Sequence, residues 1–187
     1  AFGLRGPVDQ WKATRAKLRE EMLARGYNEK LGAFTQAYGG KALDAAVLLM
    51  PLVGFVKPDD PRMLSTVKAI ESGLKSDGLI LRYDSEDCTD GLPPGEGAFL
   101  ACSFWLADNY ILQGQRDKAQ ALFEHLLSMR NDVGLLAEEY DPRTKQQLGN
   151  FPQAFSHFAL IDTAFHFEGA ACMGNQMGAI LPCGKAA

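Results

Sequence analysis

Glu138 and Glu139 stand side by side ahead of Tyr140 and Asp141, inside a Gly-, Asn- and Pro-bearing stretch that runs from Asn131 to His157. Charged side chains are almost never fully buried without a partner. This Glu-Glu-Tyr-Asp cluster therefore faces either water or a substrate. Two more stretches carry related groups: Arg82, Tyr83, Asp84, Glu86, Asp87 and Asp90 lead up to Glu96, and Gln36 and Tyr38 sit in the run FTQAYGG. Aromatic rings beside carboxylates and an arginine suit a sugar, because rings cover apolar C–H faces while charged groups hold hydroxyls.

Bulk properties narrow the field. With 187 residues, 47% hydrophobic and 22% charged, the chain can form one globular domain around a sizeable core. A net charge of −4 and a pI near 5.4 argue against nucleic acid and anionic membrane as partners, both of which call for clustered Lys and Arg. No apolar run approaches the roughly 20 residues of a membrane span. The first residues lack the charged-then-apolar layout of a secretory leader. Cys88, Cys102, Cys172 and Cys183 show no CxxC spacing, which speaks against zinc and redox motifs and for free thiols in a reducing cytoplasm. His125, His157 and His166 have no metal-ligand partners at useful spacing, so neither a metal nor a cofactor is expected. The chain begins at Ala rather than Met, as a piece of a longer protein would.

The elements that must position these groups are helices of two kinds. From Pro7 to Arg25, Trp11, Leu18 and Met22 recur on one stripe among charged residues, predicting an amphipathic outer helix ended by Gly26. The run from Lys41 to Val53 is apolar nearly all round and predicts an interior helix. Asp60-Pro61 reads as an N-cap and first turn, followed by the stripe Met63, Val67, Ile70, Leu74 of a second outer helix. Glu96 to Leu112 is again interior in character, Arg116 to Met129 outer, and Pro152 to Phe167 interior. No convincing strand pairs are evident, and LILRY at 79–83 is the best short candidate. Six helices alternating outer and inner, with a period of roughly 55 residues, mark stacked helical pairs. The expected fold is all-α, of the α/α-toroid type. Inner-to-outer links are short and make those neighbours antiparallel. The long outer-to-inner connections, which are the lengths that usually carry function, must then emerge at one end of the bundle.

Three runs, GYNEKLGAFTQAYGGKALDAAVLLMPLVGF, LRYDSEDCTDGLPPGEGAFLACSFWLAD and NDVGLLAEEYDPRTKQQLGNFPQAFSH, occur in an order that resembles the C-terminal part of the catalytic domain in glycoside hydrolase family 15, which includes glucoamylases, glucodextranases and bacterial trehalases. The likeness extends from about Trp11 to His166. It implies an (α/α)6 barrel, of which six helices are about half, and inverting hydrolysis of an α-glucan or α-glucoside. The family's general base, a Glu in a Glu-Gln-Tyr-Asp type motif, falls on Glu138; Glu139 replaces the frequent Gln and adds a charge. The Arg-Tyr pair that contacts sugar at the cleavage subsite falls on Arg82 and Tyr83, and Glu96 matches a rim position. The family's general acid lies in an upstream Trp-Glu motif that this chain lacks. The resemblance thus implies a segment carrying the base, inactive by itself, that self-associates or requires a missing N-terminal segment.

Structural roles compete at several of these positions. Glu96 also suits a carboxylate complementing a helix N-terminus, Arg82 suits a loop clamp on Asp84 or Glu86, and Tyr38 and Tyr140 suit packing aromatics as well as substrate contacts. His157 reads as a satisfied polar group on a helix. A non-catalytic helical module binding a carbohydrate or a protein is the alternative function. Residues 1–167 are expected to form the partial toroid, and the Gly-, Ala- and Cys-rich tail 168–187 keeps no helical period and has no assigned role.

Overall fold

A computed structural model of the chain describes residues 5–84 and 97–169. Its centre is helix α4, Leu100–Leu112, in which every residue from Leu100 to Tyr110 is buried. A run that is apolar nearly all round has no side to offer water; most of its few polar atoms are bonded, while the Asn109 Oδ1 is buried with no hydrogen-bond partner among the described residues. The Ser103 hydroxyl accepts from the Ile80 N–H at 2.9 Å, and the Asn109 amide donates to the carbonyls of Leu48 and Trp105, both at 2.8 Å. Gly114, at φ +75°, closes the helix. The chain then turns into α5, Arg116–Leu127, which buries Ala119 and Leu126.

Helix α6, Ala154–Phe167, also packs against α4, where the Thr163 hydroxyl reaches the Phe104 carbonyl and His166 meets Asp108, while Ser156 donates to the Ala137 carbonyl of the third connection. Its interior character is only half met. Phe155, Phe158, Ile161 and Phe165 line a second face that is 43–64% exposed.

Before α4 come α1, Val8–Arg25, and α3, Pro61–Gly73. α3 follows the expected pattern: Asp60 accepts from the Arg62 N–H at 2.9 Å as N-cap, Pro61 occupies the first turn, and Met63, Val67 and Ile70 are buried. α1 departs from it. The helix forms, yet none of its residues is buried, and Trp11 and Leu18 are 60% and 54% exposed. It is held by the Arg19 guanidinium, which lies 4.9 Å from the Phe55 ring centroid and donates to the Phe55 carbonyl, and by half-buried Leu23, which packs against the core.

The interior helix expected over 41–53 is corrected to a 3-10 turn, Ala45–Leu48, leading into the single turn α2, Leu49–Leu52. Asp44 is extended, with φ −142° and ψ 125°, and its carboxylate takes the Ala46 N–H, so the helical turn starts no earlier than Ala45. Pro51 has no N–H with which to extend the ladder, and Gly54 at φ +70° ends it.

Three small antiparallel sheets were not expected. They pair β1 (Tyr27–Asn28) with β2 (Ala33–Phe34), β3 (Lys75–Ser76) with β4 (Leu79–Ile80), and β5 (Ala98–Phe99) with β6 (Glu139–Asp141), which also pairs with β7 (Gln146–Leu148). The LILRY run supplies β4. Ladders of two or three residues are too short to impose the alternating pattern by which strands are recognised. The overall arrangement is mostly helical, a partial α/α toroid in which the β5–β6 ladder ties the second long connection to the third, the β1–β2 and β3–β4 pairs being hairpins within one connection each. No described helix is long and apolar enough to cross a membrane.

Candidate active site

All three long connections meet at the N-terminal end of α4. The second is fastened there by the Ile80 bond to Ser103. The first is fastened to the second, because the Arg82 carbonyl accepts from the Ala45 N–H at 2.8 Å and the Arg82 side chain is gripped by Asp44, Nε to Oδ1 at 2.6 Å and Nη2 to Oδ2 at 3.3 Å. The third joins through the β5–β6 ladder, in which Ala98 faces Tyr140 and Phe99 faces Glu139, and through the Leu100 N–H, which donates to the Glu138 carbonyl at 3.2 Å.

Arg82 pairs with buried Asp44 rather than with Asp84; Glu86 lies outside the described residues. The two-pronged bond to Asp44 raises the Arg82 pKa, so the guanidinium is a fixed cation. Cys102, in the first turn of α4, has its thiol pushed up to about 12 by burial, with Arg82 and Asp44 both within electrostatic reach. Arg82 and Glu138 accordingly lie at the same end of α4. Tyr83 is half-buried and lines a hollow of about 150 Å³ with Lys41, Leu43 and Asp84. Tyr38 is 44% exposed; the Arg25 guanidinium lies 4.7 Å from its ring centroid, and it lines a hollow of about 270 Å³ with Gln36, Asp44 and Val47.

Glu138 is half-buried at the start of the third ladder. Its Oε2 accepts two hydrogen bonds from Asn150, from the backbone N–H at 3.2 Å and the side-chain amide at 2.9 Å, while its own N–H donates to the Asn150 carbonyl at 3.0 Å. No hydrogen bond to Oε1 is found among the described residues. Glu139 points the other way, as neighbours along a strand do, and its Oε2 accepts from the Gly97 N–H at 2.8 Å. The extra charge that replaces the family's Gln is thus turned toward the β5 segment.

Tyr140 packs against the core and lines a separate hollow with Asp77, His125, Met129 and Arg143, not with Arg82, Tyr83 or Tyr38. Asp141 is a turn former: the Arg143 N–H and the Thr144 hydroxyl bond it at 2.9 Å each, and these bonds, that of the Arg143 N–H first, hold its pKa below the usual carboxylate value. Glu96 lies outside the described residues, as do Asp87, Asp90, Cys88, Cys172, Cys183 and all of the tail beyond Gly169.

His157 is a satisfied structural group. Its Nδ1 lies 2.7 Å from the Gln153 carbonyl and so carries the proton, which leaves Nε2 to accept from the Leu136 N–H at 3.3 Å. Gln147 is a further brace: its side chain accepts from the Ala137 N–H at 2.6 Å and donates to the carbonyls of Met129 and Leu135. Sequence reasoning missed Asp44, Gln147 and Asn150. A lone carboxylate at the head of the apolar run ALDAAVLLM is a capping signal, and Gly149-Asn150 is a turn dipeptide, but neither names a partner 38 or 12 residues away.

The family model for glycosyl hydrolases family 15 matches residues 1–165. Among curated relatives, a trehalase of Mycolicibacterium smegmatis is 44% identical over 180 residues, covering 96% of this chain and 27% of that protein. A trehalase of Thermoplasma volcanium is 39% identical over 169 residues, 90% of this chain and 27% of that protein. The chain therefore spans about a quarter of the length of these relatives. A solved structure described as a wild-type glycosidase superposes with a TM-score of 0.70 at 21% identity, over 83% of this chain and 43% of that one, a likeness of fold. With the family matched over residues 1–165, relatives up to 44% identical and a fold shared with a solved glycosidase, the chain belongs to glycosyl hydrolases family 15.

Proposed function

We propose that this chain is the general-base segment of an inverting α-glucoside hydrolase, with trehalose as the first substrate to test because the relatives above are named trehalases. The observation that carries the reading is the Glu138 carboxylate, half-buried at the α4 end that also holds Arg82, with one oxygen bonded to Asn150 and the other without a hydrogen bond among the described residues. Such an oxygen is suited to receive a proton from water. As the water oxygen bonds to the anomeric carbon, its proton passes to Glu138, the glycosidic C–O bond breaks, and a carboxylic acid protonates the departing oxygen. Inversion requires those two carboxyl groups about 6.5–9.5 Å apart, and the acid comes from a segment outside this chain. Arg82 and Tyr83 hold the terminal glucose, with Tyr38 and Glu96 at the rim. Tyr140 contributes by supporting the β6 strand behind Glu138, its ring being packed on the core.

The exposed apolar faces of α1 and α6 favour a partner as well: either the remaining helices of the ring or a second copy of this chain covers them. A cytoplasmic location is part of the same reading, in keeping with cysteines that show no paired spacing in the sequence.

The test is Glu138→Gln in the full-length protein, assayed on trehalose, maltose and isomaltose. Turnover is expected to fall by roughly 10²–10⁴-fold with binding retained; unchanged turnover would reject Glu138 as the base. Robust turnover by this chain with no other polypeptide present would overturn the claim that the acid lies elsewhere.

A further inference from the structure

We propose that Asn150 is the positioning residue of the Glu138 carboxylate, and that Gly149 is the opening that lets the two meet; the inference rests on the reading of Glu138 as general base. A glutamate side chain has three rotatable bonds, and a base left to sample them would present its reactive oxygen to the water only part of the time. Here one residue applies two donors to the same oxygen. The backbone N–H and the side-chain amide of Asn150 converge on Oε2 at 3.2 and 2.9 Å, and the reciprocal bond from the Glu138 N–H to the Asn150 carbonyl, at 3.0 Å, keeps the two backbones in register. Holding Oε2 narrows the orientations open to the carboxylate and with them the directions in which Oε1 can point.

Gly149 completes the device. Its φ of +76° is a left-handed conformation that L side chains rarely adopt, and a Cβ there would lie 2.9 Å from Glu138 Oε2 and 3.1 Å from Glu138 Cβ. Any larger residue at 149 pushes on the very oxygen that Asn150 holds. Asn150 itself is exposed, so its side chain adds little to the packing of the domain; its bonds serve the orientation of one carboxylate. Hydrogen bonds to charged groups are worth more than neutral ones, and reactivity depends steeply on how a reacting group is oriented.

Full-length protein carrying Asn150→Ala, Asn150→Asp, Gly149→Ala or Glu138→Gln is assayed on trehalose for kcat, KM and thermal midpoint. Asn150→Ala keeps the backbone donor and removes the amide, and kcat is expected to fall on the order of 10-fold or more with KM within about 2-fold and the midpoint unmoved. Asn150→Asp, of the same shape, sets a like charge against the base and is expected to fall below Asn150→Ala at the same midpoint. Gly149→Ala is expected to lose turnover as well. If Glu138→Gln turns over like the parent, the base reading fails and the positioning role falls with it. If Glu138→Gln is inactive while both Asn150 variants match the parent, the positioning role alone is wrong. A loss of kcat in the Asn150 variants that merely tracks a lowered midpoint and a raised KM also overturns it, since that is the signature of a structural residue.

Discussion

Replacing His166 by Ala isolates the contact that fixes α6 on α4. His166 Nδ1 and Asp108 Oδ1 are 2.8 Å apart, with side chains only 7% and 2% exposed. Taking away the imidazole removes a charge-assisted hydrogen bond and leaves a buried carboxyl with less than it needs. Breaking a buried pair from one side costs about 3–5 kcal/mol, and at about 2–4 °C per kcal/mol for a domain of this size the midpoint should drop by roughly 6–20 °C at pH 7.5. Burial already holds the Asp108 pKa above the ordinary carboxylate value, against the opposing pull of His166, and without His166 it rises further. A carboxyl raised in the folded state binds its proton more tightly folded than unfolded. Its stabilising contribution is complete below the unfolded pKa of about 3.9 and is lost as pH climbs through the folded value. The deficit of His166→Ala should therefore be largest at pH 7.5 and shrink toward pH 5. Thermal melts followed by circular dichroism at the two pH values measure this, with Asp108→Asn/His166→Ala, which leaves no charge to bury, recovering part of the loss. A drop under about 2 °C, or an equal drop at both pH values, would refute the claim that the pair is a buried, coupled one.

Two further outcomes bear on function and assembly. Arg82→Lys cannot reproduce the two-pronged grip on Asp44, so KM for trehalose should rise by about 10-fold with kcat less affected; an unchanged KM would remove Arg82 from the glucose site. The exposed face of α6 leaves roughly 350 Å² of Phe and Ile surface uncovered, whose coverage is worth about 9 kcal/mol gross; the chain alone should self-associate or melt at low temperature, Phe158→Glu should weaken the association in sedimentation, and a compact, highly thermostable monomer would contradict the half-ring reading.

Much of the helical frame was legible because it obeys local rules. The Met63, Val67, Ile70 stripe, the Asp60 cap and the closing Gly114 are decided within a turn or two of chain, and α3, α4, α5 and α6 appear within a few residues of where periodicity put them. The 41–53 run misled because apolar content reports burial, not helix length; Asp44 sets that length by the hydrogen bond it accepts from the Ala46 N–H and Pro51 by the donor it lacks. α1 misled in the opposite direction: its stripe forms on a helix that buries none of it.

By itself the sequence determined the family, the helical class and the three long connections, and it singled out Glu138 and Arg82 as candidates, since motifs and periodicity are properties of residues near one another in the chain. Tertiary structure alone decided that Arg82 is gripped by Asp44, that Glu139 turns to Gly97 while Glu138 turns to Asn150, and that Tyr140 joins the core. Those outcomes depend on which donors and acceptors from distant segments arrive within 3 Å of each other, and on which side of a short strand each neighbour is sent. Both are settled only when the chain closes its loops around α4.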